Sequence, residues 1–221
     1  MNVPIYAIYG ASGCGRSIMP LARQQVAKSA TDGGRLVFVD DAPNDKSVNG
    51  HAVLSYGQFI DESASEHFVA IAVADPRTRH RLAAKCNTDG LTAWSVRAAD
   101  VILMDDVSIG EGALLSPFVT ITSNIRIGRF FHANLYSYVE HDCRIGDFVT
   151  FAPGVKCNGN VVIEDFAYIG AGAILRQGES AGKPLRIGRG AVVGMGAVVT
   201  RSVPPGTTVA GNPARPIAET D

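Results

Sequence analysis

His141 and Asp142 stand side by side in the stretch Val139-Glu-His-Asp-Cys-Arg144. An imidazole flanked by carboxylates can do general-base chemistry. Asp142 or Glu140 can accept from Nδ1–H and raise the basicity of the other ring nitrogen. Taken alone, an outward histidine is more often a plain surface residue, so both readings stand. A second chemistry-bearing stretch is Gly10-Ala-Ser-Gly-Cys-Gly15, directly after the apolar run Val3–Tyr9. Glycines there let a backbone approach a ligand, and N–H groups at the start of the following helix favour a phosphate or pyrophosphate. The spacing is GxxGxG, not the dinucleotide GxGxxG, and a tight strand-to-helix turn would use the same residues. Asp40 and Asp41 end the next apolar run, where such folds contact a ribose or base. A solvated turn would equally place two acids there. The four cysteines, Cys14, Cys86, Cys143 and Cys157, form no CxxC pair. Their spacing suits neither a zinc site nor a disulfide framework, so reduced thiols and no structural metal are expected.

Two kinds of element must position these residues. In the first hundred, short apolar runs alternate with helical spacing: Val3–Tyr9, then Ile18, Leu21, Ala22, Gln25 and Val26, then Leu36–Val39, then Phe68–Ala74 and a helix to about Cys86. That alternation predicts a small parallel sheet with covering helices, an α/β domain over 1–100. From residue 101 the pattern changes. Sixteen steps of six residues lead from Leu103 through Ile109, Leu115, Ile121 and Ile127 to Val199, with an aliphatic or small residue at each except Phe151. Four places later in most hexads stand further small or β-branched residues, and Gly110, Gly128, Gly146, Gly170, Gly188 and Gly194 follow first positions. A six-residue period predicts a parallel β-helix over 101–221. With three hexads per coil, the prism would be about 25 Å tall. The segment Arg176–Arg186 breaks the composition but not the count, as a small loop returning in register would.

Composition narrows the classes. The chain has 221 residues, 20 Lys and Arg against 21 Asp and Glu, and a net charge of −1. A binder that works by neutralising nucleic-acid phosphates is excluded. At 46% hydrophobic the chain is apolar enough to build a core. No run of about 18 uncharged apolar residues is present to span a bilayer. The N-terminus lacks the basic and apolar regions of a signal peptide, which predicts a cytoplasmic protein.

The hexads, the Gly-Ala-Ser-Gly-Cys-Gly loop, the Val-Phe-Val-Asp-Asp strand end and Val-Glu-His-Asp-Cys together resemble the left-handed β-helix sugar N-acetyltransferases. These hexapeptide-repeat enzymes modify nucleotide-linked 4-amino-4,6-dideoxy sugars, and their relatives O-acetylate sialic acids. The resemblance covers nearly the whole chain. It implies a small Rossmann-like parallel sheet followed by an all-β left-handed parallel β-helix. It also implies acetyl-CoA as co-substrate, a nucleotide-linked amino sugar as partner, active sites between the subunits of a homotrimer, and a role in O-antigen or other surface-glycan synthesis. His141 would be the catalytic base and Asp142 its orienting partner. Ser12, Gly13, Cys14, Asp40 and Asp41 would contact the nucleotide sugar, and Asn134 would lie on the substrate side. Backbone at Ala171 and Met195, with Gly170 and Gly194 allowing close approach, would meet the coenzyme. Thr150 stands where some relatives place a second histidine near the thioester, and Cys14 replaces the histidine of the usual loop. The Pro/Gly-rich Val209–Arg215 resembles the closing loop of these enzymes.

The mechanism implied is direct acyl transfer. An amine attacks a thioester only when unprotonated, so a base must take its proton, and a backbone N–H from a neighbouring coil would hold the oxyanion. Cys143 and Cys157 point inward and Cys14 sits in the loop, so no acyl-enzyme is expected. His132 has no motif support and is expected to be structural. O-acetylation of a sugar would use the same base. A non-catalytic hexapeptide scaffold would leave the His-Asp pair and the separate α/β domain without purpose.

Overall fold

The computed structural model describes residues 3–28, 34–43, 45–180 and 182–217. Six strands form the first sheet: β1 (Ile5–Tyr9), β2 (Arg35–Val39), β3 (Ser47–Val48), β4 (His51–Leu54), β5 (His67–Ile71) and β6 (Thr92–Ala93). Their spatial order is β3-β4-β2-β1-β5-β6, parallel except for the β3–β4 hairpin. β1 and the inner half of β2 are buried on both sides, as continuous apolar runs in a covered parallel sheet must be. Helix α1 (Gly13–Lys28) covers one side with Ile18, Met19 and Ala22. On the other lie α2 (Tyr56–Asp61) and α3 (Pro76–Thr88). A Ser55/Gln58 capping box starts α2; α3 starts with Asp75 accepting from the Thr78 N–H, followed by Pro76 in its first turn. The sequence pattern misses β3, β4, α2 and β6 because each is too short to show a period.

The rest winds into a three-faced parallel β-helix, confirming the fold expected from the hexads. The first face runs from Val96–Arg97 to Thr208–Ala210, the second from Ile102–Leu103 to Val198–Val199, and the third from Val107–Ile109 to Leu185–Ile187. The chain thus enters the first coil at Val96, which pairs with Leu114. Inward positions such as Ile121, Phe151, Ile163, Ile169 and Val193 are fully buried in one continuous core. Each coil takes 18 residues, as Ile102, Thr120, Tyr138, Lys156 and Ile174 pair in succession, but Ile174 pairs next with Val198. The excursion between the Ile174–Leu175 and Leu185–Ile187 strands therefore adds six residues, one hexad's worth. That length explains why the six-residue count survives a segment that leaves the prism. Ala181, an inward position by that count, lies outside the described residues. At the end of the first face, Arg215–Pro216 returns antiparallel onto Val209–Ala210.

The fourth residue of the hexads takes positive φ and turns the corner, and each corner has its own chemistry. Phe118, Tyr136, Gly154, Gly172 and Gly196 line the corner between the first and second faces. Asp106, Asn124, Asp142 and Asn160 line the one between the second and third. Phe130, Phe148 and Phe166 line the one between the third and first, stacked with ring centroids 5.1 and 5.5 Å apart. This phenylalanine column joins the core under α3, so the sheet domain and the prism share apolar packing. Each phenylalanine buried there contributes about 2–3 kcal/mol.

Arg79 of α3 completes the joint. It is wholly buried and donates to the carbonyls of Val73, Ala74, Phe130 and Phe148 and to Thr150 Oγ1. Beside it His132 is also buried, and its Nε2 has no hydrogen-bond partner among the described residues. Burial, with the Arg79 charge adding to it, pushes this imidazole well below its ordinary value. The unfolded chain's histidine titrates near 6.5, so below that pH the unfolded state binds more protons than the folded one. Stability should therefore be complete above about pH 6.5 and fall with decreasing pH, by at most about 1.4 kcal/mol per unit from this group. Thermal melts between pH 7.5 and 5 should show a shallower decline for His132→Gln than for the wild type; parallel curves would clear His132 of the effect.

Candidate active site

His141 is set at the second-to-third-face corner by the turn that places Asp142 at φ +61°. Asn and Asp tolerate this left-handed conformation better than other residues with a side chain. His141 Nδ1 lies 2.8 Å from Asp142 Oδ2, so Asp142, not Glu140, is its partner. Asn124, one coil earlier, donates to Asp142 Oδ1 at 3.3 Å, and the Asp142 N–H donates to the Ser123 carbonyl. The bond from His141 holds the Asp142 carboxyl below its usual range. With that carboxylate ionised, Nδ1 carries the proton and Nε2 keeps a free lone pair. The ring lies over Gly159 of the next coil, where a Cβ would stand 2.6 Å from Cε1 and 2.7 Å from Nε2. Gly159→Ala must displace the imidazole, and should cut kcat by about tenfold while leaving the melting temperature within about 2 °C. Unchanged kcat would show that the ring does not need this seat.

The pair opens onto a groove of about 830 Å³, bordered also by Asn124, Asn160, Arg144 and Arg186. A smaller cavity, about 370 Å³, lies between α3 and the phenylalanine column and touches neither His141 nor the glycine loop.

The glycine loop follows β1, and its three glycines do different things. Gly10 has φ +112°, and a Cβ on Gly15 would fall 1.7 Å from the Gly10 carbonyl oxygen, so α1 can approach the loop only there. A Cβ on Gly13 would meet nothing. Asp40 Oδ2 accepts from the Ala11 N–H at 3.3 Å and Oδ1 from the Ala42 N–H at 3.1 Å, tying the loop to the β2 end. The Asp41 carboxylate accepts from Tyr9 Oη at 2.8 Å and lies 3.6 Å from Lys85 Nζ. Ser12 and Gly13 are exposed. The Cys14 thiol is half-buried and pushed up by that burial, with Arg79 opposing, which keeps it a neutral thiol. Cys143 and Cys157 are buried inside the prism.

The remaining expected residues gather at the first-to-second-face corner. Gly170 and Gly194 donate to the Val193 and Val209 carbonyls at 2.7 Å. A Cβ on Gly170 would stand 2.6 Å from the Met195 nitrogen, so the close approach it permits is that of the next coil. Ala171 is exposed and Met195 is 82% exposed. The Asn134 amide donates to the Phe151 carbonyl at 2.8 Å. Thr150 departs from expectation. It is 1% exposed, its hydroxyl bound between Arg79 and the Ala74 carbonyl, because the first face is covered there by the sheet domain; the structure makes it part of the joint, not a coenzyme contact.

Known proteins place this arrangement. Over 211 residues, 96% of this chain and 95% of the relative, the sequence is 50% identical to the GDP-perosamine N-acetyltransferase of Escherichia coli O157:H7. The chain belongs to the sugar N-acetyltransferase family. The family model described as the PglD N-terminal domain matches residues 6–86. Among solved structures, WeeI from Acinetobacter baumannii AYE shares 52% identity and a TM-score of 0.93, covering 97% of this chain and all of that one. The acetyltransferase domain of PglB from Neisseria gonorrhoeae FA1090, solved in complex with acetyl coenzyme A, shares 27% identity and a TM-score of 0.83, covering 98% of this chain and all of that one.

For this N-acetyltransferase the motifs alone miss two residues that build the site and one that builds the joint behind it. Asn124 could be found by stepping back one coil, 18 residues, from Asp142. Gly159 reads as an ordinary turn in Asn158-Gly-Asn160. Arg79 reads as a solvated residue of an exposed helix.

Proposed function

We propose that the protein transfers acetyl from acetyl-CoA to the 4-amino group of a nucleotide-linked 4-amino-4,6-dideoxy sugar, with GDP-perosamine as the first candidate. The relative of that name, alike over nearly the full length of both chains, carries this reading. The amine nitrogen attacks the thioester carbonyl while its proton passes to His141 Nε2. The C–S bond then breaks, and the proton moves on to the departing thiolate of coenzyme A. Asp142 holds Nδ1–H and so keeps Nε2 in the acceptor form through the step. Ser12, Gly13, Cys14, Asp40, Asp41 and Asn134 are proposed on the nucleotide-sugar side. Ala171 and Met195, seated by Gly170 and Gly194, are proposed on the coenzyme side.

A homotrimer completes the site. In one chain the sheet domain covers the first face at Leu114, His132 and Thr150, whereas His141 stands on the opposite edge of the prism. A second copy is needed to bring the glycine loop of one chain to the imidazole of another. Ile102, Met104, Phe118, Leu135 and Tyr136 offer an exposed apolar strip on the second face and its first corner, as an unpaired subunit interface would. Sedimentation should report three times 23.3 kDa. No described helix is long and apolar enough to cross a membrane, and we place the reaction in the cytoplasm, with its product destined for surface-glycan assembly.

The deciding assay incubates the protein and acetyl-CoA with GDP-, UDP- and dTDP-linked 4-amino sugars and follows free coenzyme A. Turnover confined to a sugar hydroxyl would sink the N-acetyl reading.

A further inference from the structure

The third face carries a column of basic side chains that acetyl transfer as described does not use. Its outward positions, one per coil, are Ser108, Arg126, Arg144, Val162 and Arg186, held in line by the parallel register of successive strands. Rungs lie about 4.8 Å apart, so Arg126 and Arg144 face each other as like charges, which destabilises a sheet unless something counters it. Arg126 is countered by Asp106, whose two oxygens accept from it at 2.8 and 2.9 Å. Arg144 and Arg186 have no carboxylate partner among the described residues. The other acids bordering the His141 groove are engaged: Asp142 by His141 and Asn124, Glu179 by Arg176. Val162 stands between the two arginines, and its short side chain leaves a gap one rung wide, with the cations about 10 Å apart at their roots. Both border the groove that holds His141 and Asp142, and Arg144 follows His141 by three residues, about 10 Å of extended chain.

A guanidinium presents a planar fork of donors that fits two phosphate oxygens, and it is more weakly hydrated than an ammonium. Two uncompensated forks flanking a short rung suit an anion with two adjacent phosphoryl groups better than a single carboxylate. We propose that Arg144 and Arg186 form an anion subsite gripping the diphosphate of the substrate that reacts at His141. The proposal rests on the acetyl-transfer reading of that site. Coenzyme A and the nucleotide sugar both contain a diphosphate diester, so the chemistry is shared and the test separates the sources.

Arg144→Gln and Arg186→Gln remove charge from exposed rungs without opening the core. Each should raise KM for one of the two substrates by about tenfold, and the double variant by about a hundredfold, with kcat within about twofold of the wild type. Arg144→Lys, which keeps the charge and loses the fork, should recover part of the affinity. A rise in KM for acetyl-CoA alone assigns the subsite to the coenzyme; a rise for the nucleotide sugar alone assigns it to the acceptor. Calorimetric titration with inorganic pyrophosphate needs no turnover: binding to the wild type should be lost in the double variant. A protein inactive on every sugar tested would thus defeat the acetyl-transfer reading while the pyrophosphate titration still judged the subsite. Both KM values within twofold of the wild type, with pyrophosphate binding equal in wild type and double variant, would overturn it.

Discussion

His141→Asn is expected to lower kcat by about 10²-fold or more while changing KM for either substrate little. The attacking amine must shed a proton as it bonds to the thioester carbon, and a side-chain amide cannot accept it at neutral pH. Asparagine is small enough to stand over Gly159 and keeps a polar group at the corner, so the turn around Asp142 should persist. A selective fall in kcat would mark an interaction made in the transition state and not in the ground state. Near-normal turnover by the variant at neutral pH would remove His141 from the role.

Arg79→Met should lower the melting temperature by about 6–12 °C, corresponding to about 3 kcal/mol in a chain of this size. The guanidinium is wholly buried, with no carboxylate beside it; the carbonyl dipoles of Val73, Ala74, Phe130 and Phe148 take the place of water. Burial pulls its pKa down to about 10, so it remains charged at neutral pH. Methionine fills much of the volume but strips four carbonyls of a donor, and an orphaned buried acceptor costs about 1–3 kcal/mol. Arg79→Lys should recover only part of the loss, because three N–H groups on one atom cannot reach carbonyls on two sides of the joint. Scanning calorimetry decides it: a shift under about 2 °C for Arg79→Met would mean that apolar packing alone holds the sheet domain to the prism.

Much of this molecule is written locally. The hexad places Ile121, Val139, Phe151 and Ile163 inside the prism because each coil repeats the steric demand of the one before, so a period in the chain becomes a period in space. The loop from Gly10 to Gly15 is legible for a similar reason, since a strand followed by glycines and a helical pattern leaves few backbone paths. Short elements such as β3 and α2 escape because a pattern needs several residues to show itself. The chance six-residue length of the excursion before Leu185 hides its departure from the prism.

The sequence by itself determined the two architectures, the corner that presents His141 and the neighbour that can orient it. Only the tertiary structure decided which carboxylate does so, that Gly159 seats the ring, that Thr150 belongs to the joint, and that Arg79 and His132 are buried. The physical reason is one of range. Inward packing and turns depend on residues a few positions apart, whereas the contacts of Asn124 with Asp142, of Gly159 with His141, and of Thr150 with Arg79 and Ala74 join segments from 18 to 76 residues apart. Whether a polar side chain meets water, a carbonyl or a second coil depends on how two independently folded surfaces meet, and no short stretch of sequence contains that information.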